Sequence, residues 1–598
     1  MLTFITKPFV CKCLSKLYKP INGSNCAFYF FMFLLGCTNI IFEPYNGSRF
    51  WGIIELFSDI YLLCALLLLF HHKWRFAMQT LCAIIAYPLS LIDMACFVKM
   101  STPITSMMLQ LLLQSNQREI SETICAYTDW RLLLSPLAFV IVQIPIGLFF
   151  ICNNYKGQKN KFFNKIFERT RKLILNLLLC IILISIPISF LDKTSLIYLT
   201  ICQNNNWHVP QLVANYNQRA TYYLPLYRIV HSTHEICSLK IEFENFNKSL
   251  DKAQITSFSP TSPHIVLIIG ESYNRHHSQL YGYPLSTTPH QIQRYKQGEL
   301  VRFDNIISTW NLTFECFRRM FSTYCAGQTG SWAQSPPFPV LFRKAGYKIS
   351  LFSNQYVLRG NGFSDFVEDV FFNNPITSNK LFNARNQQLY NYDMQMLNDY
   401  DRLQYRTSDT LTLDIFHFLG IHADFKLRYP PEYTYFNAKD YHRTDLTSDK
   451  IKILIDYDNA VRYNDAVINS ILSRFEQKEA IVIFVPDHGE RVFDNSTEWG
   501  RSLTWNYNDI RQQFDIPFWI WASTSYRKQH AQLWNQIKQS AKRRGMNDTI
   551  AQLLLNIAHI NTPYYHKEFD IIHPQYNINR PRIIRNERDY DEIMRETL

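Results

Sequence analysis

Residues 264–272 read His264-Ile-Val-Leu-Ile-Ile-Gly270-Glu271-Ser272, and residues 480–489 read Ala480-Ile-Val-Ile-Phe-Val-Pro486-Asp487-His488-Gly489. Short apolar runs without polar alternation are typical of strands that are buried on both faces of a parallel sheet. A helical pattern of apolar residues fills 450–477, shortly before the second run. Because buried strands alternate with helices here, the sequence predicts an α/β domain with a mostly parallel central sheet.

Polar side chains follow both strands at the point where each strand ends. Glu271 follows the first strand, and Asp487 and His488 follow the second. The carboxyl ends of parallel strands are where α/β folds place their ligand sites. Two carboxylates and an imidazole suit Zn²⁺, which makes a bound oxygen nucleophile competent at neutral pH. These three residues are therefore candidate zinc ligands, although a strand-end turn stabilised by Asp487 also accounts for the Asp-His-Gly triplet.

The composition indicates a membrane protein with a large soluble domain. Of 598 residues, 47% are hydrophobic and only 18% are charged, and the apolar residues concentrate in the first third of the chain. This composition excludes a disordered chain, a collagen and a disulfide-dense miniprotein. The net charge is +12, but the densest basic run, 156–172, lies between two apolar segments rather than in a patch interleaved with aromatic residues. Membrane topology explains that run, so we predict no nucleic-acid partner.

Five apolar segments precede the soluble part, and each approaches the roughly 20 residues that a helix needs to cross a bilayer. They are Cys26–Phe42, Trp51–Phe70, Phe76–Val98, Leu132–Cys152 and Leu173–Leu191. Lys and Arg concentrate in the N-terminal tail, at 71–75 and at 156–172. The positive-inside rule places these three segments in the cytoplasm. An odd number of spans then puts all residues after Leu191 outside the cytoplasm.

Three parts of the chain follow from this pattern. Residues 1–191 are predicted to form a transmembrane domain of five helices, 192–262 a connecting region with short helices facing the membrane, and 263–598 the soluble α/β domain. The Ser-Pro-Thr-Ser-Pro sequence at 259–263 marks the start of that last domain.

Polar residues interrupt the membrane part at two places. Glu55 and Asp59 lie one helical turn apart in the second span and face the same way. Carboxylates within a membrane are functional candidates, and a buried structural pair is the alternative. Residues 107–119 form an amphipathic stretch, which predicts a helix at the outer membrane surface or one that packs against the bundle.

Four of the 14 cysteines lie after Leu191, in the large part predicted to be outside the cytoplasm. An even number in an oxidising compartment permits two disulfides. The local pairings are Cys202–Cys237 and Cys316–Cys325.

The segment Gly270-Glu271-Ser272-Tyr-Asn-Arg275-His-His277-Ser-Gln-Leu-Tyr281-Gly282-Tyr283-Pro-Leu-Ser-Thr287-Thr288-Pro289 resembles the opening signature of the bacterial phosphoethanolamine transferases. The resemblance continues at 304–322, 417–432, 455–460 and 485–490, and it includes the five-span topology. Members of that family are inner-membrane enzymes whose outer, periplasmic domain has the alkaline phosphatase/sulfatase fold. The resemblance therefore implies this fold for 263–598.

The resemblance also implies a nucleophile. In the family a Thr begins a helix shortly before a Met-Phe-Ser sequence, and Met320-Phe321-Ser322 places that residue at Thr313. A hydroxyl at a helix N-terminus lies in positive potential beside amides that can bind a phosphoryl oxygen. Without the resemblance, a helix N-cap would be the simpler role for Thr313. The family's Cys-Gly-Thr is Thr309-Trp310-Asn311 here, so one usual disulfide is absent.

The remaining site residues come from the same resemblance. It implies zinc coordination by Glu271, Thr313, Asp487 and His488. It further implies substrate contacts, and these are His417, His422, Ser115 and Glu119. Arg359, near Ser353-Asn354-Gln355, is a further candidate contact for phosphate. A family histidine about a dozen residues after Asp-His-Gly-Glu has no counterpart in 495–501, so a complete second metal site is not expected.

The function that the resemblance implies is a zinc-dependent transfer of phosphoethanolamine. Phosphatidylethanolamine in the bilayer would donate its headgroup to Thr313, and lipopolysaccharide, at lipid A or an inner-core sugar, would accept it. The alternatives are another phosphotransferase of the same fold, acting with glycerophosphate or on a glycan, and a non-catalytic lipid-binding protein. A sulfatase is disfavoured because no Cys-x-Pro-x-Arg sequence lies near Thr313.

Overall fold

The computed structural model describes most of the chain. The described ranges are 16–22, 25–42, 49–100, 104, 130–155, 174–191, 193–194, 225–260, 262–356, 374–403, 411–494, 496–502 and 505–596. The chain divides into two compact units, and the division falls between Ile236 and Cys237.

The first unit contains the five predicted apolar segments, and all five are helical. The helices are α1 (Asn25–Phe42), α2 (Arg49–Leu67), α3 (His72–Met100), α4 (Leu137–Tyr155) and α5 (Ile174–Leu191). Four of them are long and apolar enough to cross a membrane, whereas the apolar part of α4, Leu137–Cys152, is shorter. The start predicted at Leu132 is displaced because a separate 3₁₀ turn, Trp130–Leu134, precedes α4.

Polar side chains within the first unit pair with one another. The Lys193 ammonium donates to Asp59 Oδ1 at 2.5 Å and lies 3.8 Å from Glu55 Oε2. The Ser189 hydroxyl also donates to Asp59 Oδ1, at 2.9 Å. Both carboxylates thus face one ammonium, as their spacing predicted, and the structure favours the alternative of a buried structural cluster.

The predicted short helices of 192–262 are wrong where the chain is described. Residues Pro225–Lys252 form one helix of 28 residues, α6. The sequence did not predict this long helix, because it contains many polar residues and its apolar residues recur with only weak helical periodicity. The domain boundaries predicted at 191 and 262 remain predictions.

A seven-stranded sheet organises the second unit. Its strands lie in the order β3-β9-β8-β2-β7-β5-β6. Strands β8, β2, β7, β5 and β6 are parallel, whereas β9 runs antiparallel to both β8 and β3. The prediction of a mostly parallel sheet is confirmed. Among the described residues of the unit, the strands are β1 (Ser257–Phe258), β2 (His264–Gly270), β3 (Leu300–Phe303), β4 (Asn305–Ile307), β5 (Lys348–Ser353), β6 (Ala384–Arg385), β7 (Thr412–His417), β8 (Ala480–Pro486), β9 (Phe518–Ala522), β10 (Arg544–Met546), β11 (Ile560–Asn561), β12 (Ile583–Ile584) and β13 (Arg588–Asp589).

Helices complete the layers of the second unit. The helix Ser448–Phe475 is as long as α6, at 28 residues, and lies close to the predicted 450–477. The Thr447 hydroxyl accepts from the Lys450 amide at its start. Its apolar face packs with the sheet residues Ile268, Val482 and Phe484 in one core. The helices are α7 (Pro289–Lys296), α8 (Thr313–Phe321), α9 (Phe338–Lys344), α10 (Pro375–Leu381), α11 (Leu397–Asp401), α12 (Ser448–Phe475), α13 (Tyr507–Phe514), α14 (Thr524–Gln529), α15 (Ala531–Ser540), α16 (Ile550–Ile557) and α17 (Tyr590–Arg595).

Candidate active site

The sheet brings the predicted ligands together at the ends of its two central strands. Gly270 pairs with Pro486 in the parallel register of β2 and β8, so Glu271 and Asp487 follow side by side. The Asp487 amide donates to the Gly270 carbonyl at 3.0 Å, which extends the pairing beyond the strands. Glu271, Asp487 and His488 are each 0% exposed. Buried groups of this kind require partners or a metal ion.

The distances between the side chains suit one small ion. His488 Nε2 lies 3.5 Å from Glu271 Oε1 and 3.4 Å from Asp487 Oδ2. Thr313 Oγ lies 3.5 Å from the same nitrogen. Tetrahedral Zn²⁺ with bonds of about 2.1 Å separates its ligand atoms by about 3.4 Å. The three separations from His488 Nε2 are therefore those expected between ligand atoms of one zinc ion.

Hydrogen bonds outside this cluster fix which atoms face inward. His488 Nδ1 lies 2.7 Å from the Gly489 carbonyl, so it carries the proton and leaves the lone pair on Nε2. Asp487 Oδ1 accepts from the amides of Ser272 at 3.3 Å and His488 at 2.7 Å. Asp487 Oδ2 is buried and receives no hydrogen bond. One imidazole and one carboxylate thus each direct an unused lone pair toward the same place, which fits a metal ion.

Burial and neighbouring charges shift the ionisation of these groups. Burial, and then the positive charge of Arg501, lower the pKa of His488 to about 3, so its imidazole is neutral. Burial alone would raise the pKa of Glu271, but the positive charge that His488 carries when it is protonated, and the charge of the Arg501 guanidinium, outweigh burial and hold that pKa well below its ordinary value. Burial, and then the negative charge of Glu271, raise the pKa of Asp487 well above its ordinary value. Two buried carboxyl groups at this spacing oppose joint ionisation, and a divalent cation removes that opposition.

Thr313 is the first residue of α8, and its hydroxyl does not cap the helix. The N-cap position belongs to Leu312. Instead the Thr313 hydroxyl donates to Glu271 Oε2 at 3.0 Å. The N-cap alternative is therefore wrong, and the hydroxyl is oriented toward the carboxylate cluster.

Comparisons with known proteins follow the same division of the chain. Residues 263–558 match the sulfatase family. Phosphoethanolamine transferase EptC of Escherichia coli O18:K1:H7 is 27% identical over 281 residues, which are 46% of this chain and 47% of that protein. Phosphoethanolamine transferase CptA of Salmonella typhimurium is 24% identical over 355 residues, 56% of this chain and 59% of that protein. The second unit is thus similar to the sulfatase family, and both of these relatives are phosphoethanolamine transferases by name. The chain spans about half the length of the curated relatives it matches.

One solved structure is similar to this chain in its membrane part as well as in its second unit. Integral membrane protein lipooligosaccharide phosphoethanolamine transferase A (EptA) from Neisseria meningitidis aligns with a TM-score of 0.56 at 18% identity. The alignment covers 93% of this chain and 97% of that one. It shows a shared fold, and the predicted architecture of a helical membrane region followed by a sulfatase-like α/β domain is confirmed.

Two backbone constraints lie next to the candidate ligands, one at Ser272 and one at Gly489. Ser272 adopts a left-handed conformation with φ 54°, which turns the chain sharply after Glu271. Its carbonyl accepts from the Tyr457 hydroxyl at 2.9 Å, which stabilises this costly conformation. A Cβ at Gly489 would lie 2.3 Å from the Gln512 carbonyl, so only glycine fits after Asp487-His488.

Two residues that the sequence did not single out contact Glu271. The Gln355 amide donates to Glu271 Oε2 at 2.9 Å and to the Phe418 carbonyl at 2.8 Å. The Arg501 guanidinium donates to Glu271 Oε1 at 2.9 Å. Arg501 lies where the expected family histidine is missing, and that substitution was its only signal in the sequence. Gln355 gave no signal, because its position depends on the pairing of β5 with β7.

The two predicted substrate histidines lie near the cluster but not in it. His417 ends β7 and is buried between Phe317 and Tyr356, with Nδ1 2.9 Å from the Ser353 hydroxyl. Burial lowers the pKa of His417 to about 3. His422 is half-buried, and burial lowers its pKa to about 4 against the opposing charge of Glu271. Both imidazoles are neutral at pH 7, and their roles toward substrate remain predictions.

Several other predicted residues lie outside the described part of the chain, and one predicted disulfide is contradicted by the structure. Ser115, Glu119 and Arg359 lie outside the described residues, as do Cys202 and the amphipathic stretch 107–119. The predicted Cys316–Cys325 disulfide is wrong. Both thiols are buried and face different carbonyl groups, Cys316 Sγ that of Trp310 at 3.1 Å and Cys325 Sγ that of Asp548 at 3.4 Å.

Proposed function

We propose that this protein is a zinc-dependent phosphoethanolamine transferase that uses Thr313 as its nucleophile. The observation that carries the proposal is the Thr313 hydroxyl, which donates to Glu271 within a buried cluster spaced for one Zn²⁺. Glu271, Thr313, Asp487 and His488 would hold the ion. When bound, the ion would stabilise negative charge on the phosphoryl group and on the Thr313 oxygen.

The chain's own residues account for the first half of a two-step transfer. The Thr313 oxygen attacks the phosphorus of a phosphodiester, and its proton passes to Glu271 Oε2, the acceptor it already contacts. The bond from phosphorus to the glycerol oxygen breaks, the proton held by Glu271 passes to that oxygen, and diacylglycerol leaves. In the second half, the oxygen of an acceptor O–H group attacks the phosphorus, the bond from phosphorus to the Thr313 oxygen breaks, and the proton of the acceptor passes to Thr313. Splitting one displacement into two is the advantage of a covalent nucleophile.

Phosphatidylethanolamine is the proposed donor and lipopolysaccharide the proposed acceptor. The names of the two curated relatives support the transferred group, and the name of the Neisseria protein supports a glycolipid acceptor. A donor in the outer leaflet of the inner membrane fits a catalytic domain in the periplasm, as the positive-inside pattern predicts. Ser115, Glu119, Arg359, His417 and His422 are proposed substrate contacts.

A covalent adduct tests the proposal. Purified full-length protein in detergent is incubated with zinc and phosphatidylethanolamine but no acceptor, and its peptides are analysed by mass spectrometry. We expect one phosphoethanolamine group on Thr313, none in Thr313→Ala, and a reduced amount on residue 313 in Thr313→Ser, where a hydroxyl remains.

Controls separate the proposal from its alternatives. Thr323→Ala removes another buried hydroxyl, one that donates to the Pro336 carbonyl, and should leave the adduct unchanged. Phosphatidylglycerol in place of phosphatidylethanolamine tests the glycerophosphate alternative, and an adduct from that donor alone would replace the proposed substrate. An adduct on Ser272, Ser308 or Thr309 would refute Thr313 as nucleophile. Zinc-loaded protein without any adduct would support a lipid-binding role instead.

A further inference from the structure

Arg501 places a permanent positive charge on the edge of the carboxylate cluster. Its Nη2 lies 2.9 Å from Glu271 Oε1 and 3.2 Å from the Ser272 hydroxyl, and its Nε lies 3.8 Å from Glu490 Oε2. The Arg501 side chain is 23% exposed, whereas Glu271 is 0% exposed. The guanidinium is therefore a partly solvent-exposed group in direct contact with a fully buried carboxylate.

The same carboxyl group connects Arg501 to the nucleophile. Glu271 Oε1 accepts from Arg501, and Glu271 Oε2 accepts from Thr313 at 3.0 Å. The guanidinium and the Thr313 hydroxyl thus flank one carboxylate. A phosphorus atom within bonding reach of the Thr313 oxygen consequently brings its other oxygens near the guanidinium.

Arg501 adds positive charge to a cluster that already suits a divalent cation. Glu271 and Asp487, once both ionised, carry two negative charges, which one divalent cation balances. Among the described residues, Glu271, Asp487 and His488 are the one group of three or more His, Cys, Asp or Glu side chains with metal-ligand spacing. Arg501 adds a further positive charge to this centre, next to Glu271 Oε1 and to Glu490 Oε2, and a phosphodiester that enters beside Thr313 carries one negative charge.

We propose that Arg501 binds a non-bridging oxygen of the phosphoryl group that is transferred, and that it supplies the second positive charge of a centre with one metal ion. The inference rests on the proposed function, because it concerns the same phosphodiester. A guanidinium carries five N–H donors in one plane, so it can hold Glu271 and a phosphoryl oxygen at the same time. Pairing of arginine with phosphate oxygens is a strong, charge-assisted interaction.

A structural role is the competing explanation for Arg501. As a counter-ion, it would only keep Glu271 ionised and in place. Removing it would then weaken zinc binding and leave phosphate binding to the zinc-loaded protein unchanged. The two roles therefore differ in which affinity falls.

The test compares Arg501→Gln, Arg501→Lys and the control Arg402→Gln, which removes an arginine charge from a side chain that is 77% exposed. Zinc content and the affinity of the zinc-loaded full-length protein for inorganic phosphate are measured, the latter by calorimetry. We expect Arg501→Gln to keep zinc and to bind phosphate roughly 10- to 100-fold more weakly, the worth of a hydrogen bond to a charged group. Arg501→Lys should fall between this variant and the unmodified protein, and Arg402→Gln should be unchanged.

Two results would overturn the inference. One is unchanged phosphate affinity in Arg501→Gln, and the other is loss of zinc from both Arg501 variants, which would make the residue a counter-ion. The phosphate measurement needs no lipid substrate. If the unmodified protein forms no adduct with phosphatidylethanolamine but its phosphate affinity still depends on Arg501, the proposed function fails and the phosphate site stands.

Discussion

Replacement of Asp487 by asparagine should remove the metal ion, and the hydrogen bonds around this carboxylate show why. Oδ1 accepts from two backbone amides, Ser272 at 3.3 Å and His488 at 2.7 Å, while Oδ2 faces the cluster without a donor. An Asn side chain has one acceptor and one NH₂ donor. If its oxygen keeps the two amides, its NH₂ faces the ion. If its oxygen faces the ion, its NH₂ faces two N–H groups.

The size of the loss follows from the number of ligands. Well-built protein zinc sites bind with about 10–16 kcal/mol, which is roughly 2.5–4 kcal/mol for each of four ligands. At about 1.4 kcal/mol per factor of ten, Asp487→Asn should weaken zinc binding by roughly 10²- to 10³-fold. The loss of one negative charge next to a divalent cation acts in the same direction.

The assay is competition with a series of chelators, followed by metal analysis of the full-length protein in detergent. Asp465→Asn is a matched control, because Asp465 is also buried and accepts from two backbone amides, those of His290 and Gln291 at the start of α7. That variant should keep its zinc affinity. If Asp487→Asn binds zinc as tightly as the unmodified protein, the ligand assignment is wrong.

Two more predictions concern residues around the cluster. Gln355→Leu removes the hydrogen-bond donor shared by Glu271 Oε2 and the Phe418 carbonyl. We expect the free energy of unfolding to fall by about 1–3 kcal/mol and zinc binding to weaken roughly tenfold. Zinc affinity equal to that of the unmodified protein would refute a positioning role for Gln355. His277 is buried with Nδ1 2.6 Å from Asp458 and Nε2 3.3 Å from Asp494, and although burial lowers its pKa, Asp494 and Asp458 outweigh this and raise the pKa to about 10. The protonated His277 stabilises the folded protein below the unfolded pKa of about 6.5, and this stabilisation is lost as pH rises toward 10. The unfolding free energy of His277→Gln, measured in denaturant, should therefore approach that of the unmodified protein between pH 6 and pH 10. A difference that stays constant over this range would contradict the prediction.

The parts of the structure that the sequence predicted are those that depend on local patterns. The strands at 264–270 and 480–486 have the predicted bounds, because an uninterrupted apolar run leaves few alternatives to a buried strand. Glu271, Asp487 and His488 converge because parallel neighbouring strands end at one edge of the sheet.

Features that depend on contacts between residues far apart in the chain, or on side-chain orientation, could not be predicted from the sequence. The antiparallel strand β9 is as apolar as β8, so its direction could not be read from its residues. Nearness in sequence suggested a Cys316–Cys325 bond, but it does not determine which way two side chains point. The contact of Arg501 with Glu271 joins residues 230 positions apart, and only the assembled sheet brings them together.

The order of the strands also has a consequence for biosynthesis. Asp487 lies 215 residues after Ser272, and the strand that carries it, β8, lies between β2 and β9 in the sheet. A ribosome that makes the chain from its N-terminus releases Glu271 and Thr313 long before the other ligands exist. Metal acquisition must therefore wait until β8 has been synthesised and inserted beside β2. Zinc uptake during synthesis would then serve as a marker that the sheet is complete, and a chain truncated before residue 480 would take up no zinc at this site.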